Sequence, residues 1–368
     1  MARPVRIVIA GGGTGGHVFP ALAIQEALKR KLPNAEFTFV GTRAGVEWRI
    51  LRERQESLRT LWISGFKRGS RLQNAFVLLK LLVSMFQSLW ILLTLRPALV
   101  IGTGGYVMGP ILLVAQRLGF PTLLQEQNSV PGLTTRKLAP RARVVCLGLE
   151  TARNHLHSRR IVHTGNPIRQ SFLEAQRTVG DVFQMAPDRR VILVTGGSQG
   201  ARSINQAVAD SLGPLLENWN LIWQTGRSGI PEFAPTELIR GAAANGNLIV
   251  QPFIDNMPGA YRAADLAVCR AGAMTIAELS ACGLPAVFVP FPFATDDHQT
   301  ANARELIDAG AAYMIADRDL NSEKLLAVIH DCLDNPERLK SMRSAMSSLA
   351  RPDAADRIAS LAAEILSS

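Results

Sequence analysis

A histidine stands at the end of a glycine-rich turn near the start of the chain. The apolar run Val5–Ala10 leads into Gly11–Gly16, and His17 follows directly. Glycines in a turn that opens a helix let backbone N–H groups approach an anion, and the helix N-terminus favours negative charge there. An imidazole in such an open position can take a proton from an attacking hydroxyl group. His17 is therefore a candidate general base, with a histidine that only caps or packs as the alternative.

A second glycine turn lies in the other half of the chain. The strand-like run Val191–Thr195 leads into Gly196–Ala201, without a histidine at its end. Two such turns predict two nucleotide-binding domains that face a shared cleft. The first turn also fits the dinucleotide pattern GxGxxG. However, the second predicted strand ends in Phe39–Arg43, without the acidic residue that would hold a ribose, so the dinucleotide interpretation is weak.

Two further loops in the first half have polar or glycine-rich tips. Gly102–Tyr106 and Gln125–Asn128 each follow a strand-like run. Open parallel sheets bind ligands at the carboxyl ends of their strands. Together with the first glycine turn, these loops predict an acceptor pocket at one sheet edge, although any single one could be only a turn.

The second half carries polar groups at comparable places. Arg270–Glu278 follows a strand-like run, and its spacing puts Thr275 and Glu278 on one helix face, where a carboxylate could hold the hydroxyls of a sugar. Asp296–Gln299 follows a proline turn and is a candidate sugar-binding loop whose spacing fits no common metal site. Asp317–Asp319 has the two-aspartate form of metal-dependent sugar transferases, but turn and capping roles explain it better.

Charge and cysteine content limit the class of protein. Residues 1–164 hold 23 basic and 7 acidic side chains, a net charge of +16, whereas the remainder has a net charge of −6. A basic half predicts an anionic partner: nucleic acid, a membrane surface or a phosphorylated substrate. The alternative is that the uneven charge only affects solubility and has no partner. The four cysteines are scattered, which indicates a reducing compartment and no structural zinc, and the N-terminus has no signal-peptide pattern.

One apolar stretch could be mistaken for a transmembrane helix. Polar residues recur about once per helical turn through Leu72–Leu95, which indicates an amphipathic helix with a broad apolar face. Lys80 and Gln87 would be costly at a bilayer centre. The basic segment Phe66–Arg71 precedes it, as expected for a protein resting on an anionic membrane surface. A core helix with a basic loop remains the alternative.

Strand-like runs alternate with helical stretches throughout, which predicts an α/β fold with parallel sheets. The predicted strands are Val5–Ala10, Phe37–Gly41, Leu99–Gly102, Thr122–Gln125, Val144–Cys146, Ile161–Thr164, Val191–Thr195, Leu221–Gln224, Leu248–Gln251, Leu266–Cys269, Ala286–Val289 and Ala312–Ile315. A turn signal at Gly165–Pro167 separates a first domain, 1–164, from a second, 165–340. Residues 341–368 predict C-terminal helices, with a break at Arg351 and Pro352, that pack back on the first domain.

Taken together, the motifs resemble one family over nearly the whole chain. AGGGTGGHVFPALAIQ, GTGGY, QEQNSVPG, TGNPIR, TGGSQGA, RAGAMTIAEL and DDHQTANA stand in the order found in the MurG-type transferases of glycosyltransferase family 28. These enzymes move N-acetylglucosamine from UDP-GlcNAc to lipid-linked N-acetylmuramyl-pentapeptide in bacterial peptidoglycan synthesis. The resemblance implies two Rossmann-like domains of the GT-B architecture, with the donor in the second domain and the acceptor in the first. It also implies an inverting hexosyltransferase that needs no metal and no cofactor.

The resemblance assigns roles to individual residues. The catalytic candidates are His17 and Glu126. The donor-binding residues would be Thr14, Gly15, Asn128, Arg169, Ser198, Ile254, Ala273, Met274, Thr275, Glu278, His298 and Gln299. The acceptor-binding residues would be Gly13, Gly104 and Tyr106. The implied location is the cytoplasmic face of the bacterial inner membrane, with an anionic membrane surface and cell-wall synthesis or division proteins as partners.

Four rival interpretations stay open on the sequence. A nucleotide-sugar epimerase would need more acid/base carboxylates than the first domain offers, since Glu126 is the only one between Glu56 and Glu150. A transferase adding galactose to diacylglycerol would differ mainly in its loops. A nucleic-acid-binding protein would explain the basic half, but aromatic residues are sparse and no nucleic-acid motif is present. A membrane scaffold would need neither His17 nor Glu278.

Overall fold

The computed structural model describes residues 4–65, 71–174, 183, 185, 186 and 188–368, without the side chains of 71–75. Two compact α/β units make up the chain. Unit 1 contains residues 1–169 and 352–368, and unit 2 contains 170–351. Each is built on a single sheet in which all described strand pairs are parallel. The predicted fold class, two Rossmann-like α/β domains, is confirmed.

Unit 1 holds a seven-stranded sheet in the order β3-β2-β1-β4-β5-β6-β7. Its strands are β1 (Arg6–Ala10), β2 (Glu36–Gly41), β3 (Leu58–Thr60), β4 (Leu99–Gly102), β5 (Thr122–Glu126), β6 (Val144–Leu147) and β7 (Ile161–His163). Its helices in the first part of the chain are α1 (Gly15–Lys31), α2 (Val46–Glu53), α3 (Arg71–Leu95), α4 (Met108–Arg117) and α5 (Leu133–Leu138).

The unit 1 sheet is buried on both faces, and this explains its apolar strands. Ile7 and Ile9 of β1 belong to one hydrophobic cluster, whereas Val8 and Ala10 belong to the cluster on the opposite face. Alternating side chains of a strand point to opposite faces, so a strand covered by helices on both sides reads as a continuous apolar run. The sequence VRIVIA is such a run.

Unit 2 holds a six-stranded sheet in the order β10-β9-β8-β11-β12-β13. Its strands are β8 (Val191–Thr195), β9 (Asn220–Gln224), β10 (Leu248–Gln251), β11 (Leu266–Cys269), β12 (Ala286–Phe288) and β13 (Ala312–Met314). Its helices are α6 (Gln170–Glu174), α7 (Arg202–Asp210), α8 (Leu212–Asn218), α9 (Thr236–Ala244), α10 (Met257–Ala263), α11 (Ala273–Cys282), α12 (His298–Asp308), α13 (Ser322–Leu333) and α14 (Pro336–Ser348).

The predicted strands match the observed ones to within one residue at each end. Among the strands of the described residues, only β3 has no predicted counterpart. It has three residues at the edge of the sheet, and Arg59 in its middle is exposed. Such a short edge strand has no apolar run in its sequence, because it is not buried on both faces.

The C-terminal helices divide between the two units. Helix α14 contributes Leu339 and Met342 to the core of unit 2. The last helix, α15 (Ala354–Ser367), contributes Ile358, Ala359 and Ala362 to a core of unit 1 that also contains α1. The segment in unit 1 is therefore 352–368 rather than 341–368, and the other boundary lies at 169/170 rather than 164/165. The physical reason is that α14 carries its apolar face against unit 2.

Helix α3 confirms the predicted helix over Leu72–Leu95. Val77, Ser84, Ser88, Ile91 and Leu92 form its buried face. Over Phe76–Leu95 it is long and apolar enough to cross a membrane, with a mean hydropathy of 2.1, and 28% of that window is buried in the protein. The basic segment predicted before it falls on residues 66–70, outside the described part of the chain, and on Arg71, whose side chain is also not described.

Candidate active site

Three loops of unit 1 follow strands that are neighbours in the sheet. β1 pairs with β4, and β4 pairs with β5. The strand order reverses between β1 and β4, since β2 and β3 lie on one side and β4 to β7 on the other. Ligands of open α/β sheets bind at such a switch point, outside the carboxyl ends of the strands. The predicted acceptor loops therefore lie at the position where this fold binds ligands.

His17 lies in the first turn of α1 and faces back toward the glycine turn. Its Nδ1 atom is 3.0 Å from the carbonyl oxygen of Gly12 and 3.3 Å from the hydroxyl oxygen of Thr14. A carbonyl oxygen can only accept a hydrogen bond, so Nδ1 carries the hydrogen in this arrangement. The neutral ring then keeps its lone pair on Nε2, the atom that can act as a base.

The loop after β4 leaves room for the His17 ring because it has glycines next to the ring. A Cβ atom at Gly104 would lie 2.4 Å from Cδ2 of His17, and one at Gly105 would lie 2.3 Å from the carbonyl oxygen of Gly12. Both glycines also have positive φ, +110° and +80°. Glycine is therefore required at both positions, because a side chain would displace the imidazole or the turn.

A chain of buried polar contacts ties the three loops together. The hydroxyl of Thr103 donates to the carbonyl oxygen of His17 at 2.9 Å. The Gln127 amide donates to the carbonyl oxygen of Thr103 at 2.7 Å, and Asn166 donates to that of Gln127 at 3.0 Å. Thr103, Gln127 and Asn166 are all at most 3% exposed. Buried networks of this kind rigidify a site when their members are paired.

Glu126 lies at the end of β5, and its carboxylate is engaged by its own loop. The Thr135 hydroxyl donates to it at 2.6 Å, and the backbone N–H groups of Asn128 and Gly132 donate at 3.2 and 3.4 Å. The side chain is 4% exposed. This geometry fits a carboxylate that shapes the loop carrying Asn128.

Two other predicted residues lie beside the glycine turn. The Tyr106 ring packs over Gly13, where an added Cβ would lie 3.3 Å from the ring. The Arg169 guanidinium stacks 4.7 Å from the centre of the Phe19 ring on α1. The structure thus brings together, within unit 1, Gly13, Thr14, Gly15, His17, Gly104, Tyr106 and Arg169.

Glu47 is a residue at this site that the sequence reasoning missed. It lies in the first turn of α2, is 0% exposed, and accepts a hydrogen bond from the backbone N–H of Gly13 at 2.9 Å. In the sequence it resembles any surface glutamate of an amphipathic helix. The available signal is Gly45, two residues earlier, because a Cβ at that position would collide with the carboxylate.

In unit 2, the glycine turn after β8 is braced by a second loop. The backbone N–H of Arg227 donates to the carbonyl oxygen of Ser198 at 3.2 Å. An added Cβ at Gly200 would lie 2.1 Å from the hydroxyl of Ser228, and one at Gly226 would lie 2.1 Å from the nitrogen of Gly200. The two loops therefore touch backbone to backbone, with Ser198 exposed at the tip of the turn.

Arg270 holds the loop that leads into α11. Its guanidinium donates to the carbonyl oxygens of Val289 and Pro290 at 3.0 and 3.1 Å. It also donates to Asp317 at 2.7 Å and to the hydroxyl of Ser203 at 3.1 Å. Asp317, the first residue of the two-aspartate motif, thus belongs to an ion pair that connects three loops.

Helix α11 begins at Ala273, with Gly272 as its N-cap in extended conformation. Ala273 is buried, whereas Met274, Thr275 and Glu278 are half-buried. The N–H groups of a first helical turn have no partner within the helix and form a ready anion site. Buried Asn302 donates to the carbonyl oxygen of Ala271 at 3.3 Å and fixes the entry to this helix.

The predicted sugar-binding loop precedes α12. Asp296 and Asp297 both have positive φ, 53° and 48°, which is costly for residues other than glycine. His298 Nδ1 lies 2.7 Å from the carbonyl oxygen of Thr295, and Gln299 accepts from the backbone N–H of Phe291 at 2.9 Å. Backbone strain of this kind is concentrated at binding sites.

Ile254 is 2% exposed, and its backbone N–H donates to the side chain of Gln224 at 2.9 Å. Gln224 in turn donates to the Thr195 hydroxyl at 3.0 Å. This contact links the end of β8 with the loop after β10. Gln224 is a second buried polar residue that the sequence reasoning missed, because it lies within a strand-like run.

Two further observations concern metal-ligand clusters and the cysteine thiols. No group of three or more histidine, cysteine, aspartate or glutamate side chains arranged for a metal is found in the part of the chain that the structure describes. Burial raises the pKa of Cys146, Cys269 and Cys332 to about 12 and that of Cys282 to about 11. Thiols with such a pKa are protonated at neutral pH and do not act as nucleophiles.

Comparisons with known proteins agree with this geometry. The N-terminal domain model of glycosyltransferase family 28 matches residues 7–146, and the C-terminal domain model matches residues 191–358. The solved structure of Acinetobacter baumannii MurG has a TM-score of 0.76 and 32% identity, covering 98% of this chain and all of that one. A putative UDP-N-acetylglucosamine 2-epimerase from Listeria monocytogenes, 18% identical with a TM-score of 0.66, shares the fold.

Curated relatives cover almost the whole chain. A protein of Desulforudis audaxviator is 41% identical over 362 residues, 96% of each chain. One of Bacillus subtilis is 37% identical over 364 residues, 98% of this chain and 99% of that one. Both are named UDP-N-acetylglucosamine–N-acetylmuramyl-(pentapeptide) pyrophosphoryl-undecaprenol N-acetylglucosamine transferase. The predicted resemblance is confirmed, and the chain belongs to glycosyltransferase family 28, among its MurG-type N-acetylglucosamine transferases.

Proposed function

We propose that this chain transfers N-acetylglucosamine from UDP-GlcNAc to the C4 hydroxyl of N-acetylmuramyl-pentapeptide carried on undecaprenyl pyrophosphate. The transferase activity rests on relatives of the same name at 37–41% identity over nearly the full length. The observation that carries the mechanism is the position of His17, whose Nδ1 is held by Gly12 so that Nε2 can accept a proton.

Unit 2 holds the donor in this proposal. The diphosphate sits at the N-terminus of α11, where Ala273, Met274 and Thr275 offer backbone N–H groups, and beside the exposed Ser198. Glu278, about one turn further on, holds the ribose hydroxyls. The backbone of Ile254 meets the uracil, and His298 and Gln299 contact the hydroxyls of the sugar.

Unit 1 holds the acceptor. The C4 hydroxyl of the acceptor attacks the anomeric carbon of the donor from the face opposite the diphosphate. His17 takes the proton of that hydroxyl. One oxygen–carbon bond forms and the bond to UDP breaks, so an α-linked donor gives a β(1→4) product. Gly13, Gly104 and Tyr106 line the acceptor side, and Glu126 positions Asn128 near the sugar.

The leaving diphosphate gains negative charge in the transition state. Helix N-termini, loop N–H groups and Arg169 stabilise this charge in the proposal, without a metal. No nucleophilic side chain is required, because the acceptor hydroxyl itself attacks. The high pKa of the cysteines is consistent with that.

The exposed apolar face of α3 supports a peripheral location on the membrane that carries the acceptor lipid. Its large side chains are 48–71% exposed and recur every three or four residues: Leu79, Leu82, Phe86, Trp90 and Leu93. Exposed apolar patches on basic domains mark membrane-surface helices. Lys80 lies 5.7 and 5.4 Å from the rings of Trp62 and Phe76 at the helix start. We place this face on the cytoplasmic side of the bacterial inner membrane.

The decisive experiment is transfer of radiolabelled N-acetylglucosamine from UDP-GlcNAc to the lipid-linked muramyl-pentapeptide in vesicles, with EDTA present. Labelled lipid product establishes the acceptor and the independence from metal together. If no product forms although UDP raises the melting temperature, the donor site stands and the proposed acceptor is wrong. Diacylglycerol is then the next acceptor to test.

A further inference from the structure

A buried carboxylate lies directly beneath the first glycine turn. Glu47 is 0% exposed, and its two oxygens accept three hydrogen bonds. One oxygen accepts from the backbone N–H of Gly13 at 2.9 Å. The other accepts from the backbone N–H and the hydroxyl of Thr42 at 2.8 and 2.7 Å. All three partners are donors, which is the arrangement that an ionised carboxylate requires.

The turn is built around this carboxylate. An added Cβ at Gly12 would lie 2.6 Å from its carboxyl carbon, and one at Gly45 would lie 2.1 Å from an oxygen. A Cβ at Gly41 would lie 2.7 Å from the Glu47 side chain as well. The side chain therefore fills a space between three glycines. It occupies the turn as a fixed internal anion.

The same peptide group connects Glu47 to His17. The N–H that donates to Glu47 belongs to Gly13, and the carbonyl that accepts from His17 Nδ1 belongs to Gly12. These two groups are the opposite ends of one planar peptide bond. An N–H that donates to an anion makes the carbonyl oxygen of the same peptide a stronger acceptor, because hydrogen bonds in a chain polarise one another.

We propose that Glu47 is a positioning residue that acts on His17 through the Gly12–Gly13 peptide. It fixes the orientation of that peptide, which keeps the hydrogen on Nδ1 and the lone pair on Nε2. It also places negative charge behind the imidazole, which stabilises the ring when it takes the proton of the acceptor hydroxyl. This inference rests on the proposed function, in which His17 is the base.

The test compares Glu47→Gln with Glu56→Gln in the full-length protein. Glutamine at position 47 has the same size but a single oxygen, so it cannot accept from both Thr42 and Gly13. Glu56 is the matched control, because it is a partly buried carboxylate of unit 1 that accepts from Gln25 and Lys29 at 2.6 and 3.0 Å. It does not touch the glycine turn.

Steady-state kinetics give the first readout. We expect Glu47→Gln to lower kcat by about 10- to 100-fold, the range seen when an outer partner of a metal-ligating side chain is removed. The KM for UDP-GlcNAc should stay within about twofold, because the lost interaction acts on the chemical step. Glu56→Gln should keep kcat close to that of the parent protein.

Nitrogen-15 NMR of histidine-labelled protein gives the second readout. The signal lost in His17→Ala identifies His17, and its ring shifts report which nitrogen carries the hydrogen. We expect the Nδ1–H form in the parent and in Glu56→Gln, and a larger share of the Nε2–H form in Glu47→Gln. A merely structural role of Glu47 would not change this ratio.

A folded Glu47→Gln with parental kcat or with an unchanged tautomer ratio overturns the inference. If that variant does not fold, Thr42→Val removes only one donor to the carboxylate, and a kcat lowered by about threefold or more supports the inference. An unchanged kcat in Thr42→Val overturns it. If His17→Ala itself keeps its kcat, the base assignment fails instead, and the two failures are thereby distinguished.

Discussion

At the scale of single residues, the site depends on where backbone groups hold His17. Its ring is placed by the carbonyl of Gly12 and by two glycines of the next loop, Gly104 and Gly105. Main-chain atoms and the nearby Thr14 hydroxyl therefore set the position of the candidate base among the contacts described.

Replacement of His17 by alanine should reduce turnover far more than donor binding. General-base catalysis contributes roughly 10²- to 10⁴-fold, so kcat should fall by that factor while the Kd for UDP-GlcNAc changes little. Initial rates and calorimetric titration measure the two quantities. His330→Ala is the control, because His330 lies on α13 in unit 2, where its ring bonds Asp334 and packs against Trp219. A lost affinity with retained turnover of bound donor would make His17 a binding residue.

Replacement of Glu278 by alanine should raise the KM for UDP-GlcNAc more than it lowers kcat. Loss of charged hydrogen bonds to the ribose costs about 1.5–3 kcal/mol, roughly 10- to 100-fold in affinity. Glu237→Ala is the control, since Glu237 is an exposed residue of the same unit on α9 and pairs with Arg240. A KM equal to that of the parent protein removes Glu278 from the nucleotide site.

The glycine turns that carry the candidate residues were easier to recognise in the sequence than the buried residues that support these turns. His17 and Glu278 follow glycine turns, and turns are legible as local patterns. Glu47 and Asn205 are polar residues with partners that lie far away in sequence. Asn205, for example, accepts from Trp223 and donates to the carbonyl oxygen of Thr225. Nothing local distinguishes such residues from exposed ones, because their burial is a property of the tertiary fold.

At the scale of elements, the strands were predictable because most are covered on both faces. Every residue of β8 and of β11 is buried, and continuous apolar runs of this kind appear directly in the sequence. The edge strand β3 was not predictable, because it is not buried on both faces and its sequence has no apolar run. The assignment of α14 to unit 2 and of α15 to unit 1 also depends on tertiary packing. Both helices are amphipathic, and their sequences do not indicate which unit covers their apolar faces.

The exposed face of α3 should control binding to anionic vesicles. Each large apolar side chain transferred from water contributes about 1.5–3 kcal/mol, so Phe86→Glu with Trp90→Glu should weaken binding by at least about tenfold. Co-sedimentation with vesicles measures the effect. Both residues are more than 60% exposed, so the melting temperature should not change.

Phe233→Glu is the matched control for α3, because Phe233 is 52% exposed in unit 2. It should bind vesicles as the parent protein does. Equal retention of all three proteins would contradict the proposed membrane face. Equal losses in the α3 variant and the control would indicate that unit 2 also contributes.

At the scale of the whole molecule, unit 1 depends on the last helix. Ile358 of α15 is 0% exposed in a core shared with α1, so Ile358→Ala should lower the free energy of unfolding by about 2–4 kcal/mol. Urea denaturation monitored by circular dichroism measures this. Ser360→Ala, an exposed position on the same helix, is the control and should have no effect beyond about 0.5 kcal/mol. Equal stabilities would show that α15 is dispensable for the core.

The return of the chain at 352–368 also has a consequence for synthesis on the ribosome. Unit 2 is an insertion within unit 1, so its whole sequence is translated before unit 1 receives its last core helix. Domains that lie first in a chain normally fold first during translation. Unit 1 differs in this respect, because the apolar side of α1 that shares a core with Ile358 and Ala362 stays uncovered until α15 has been translated. Until then, unit 1 exposes apolar core surface, as incompletely folded chains do when chaperones act on them.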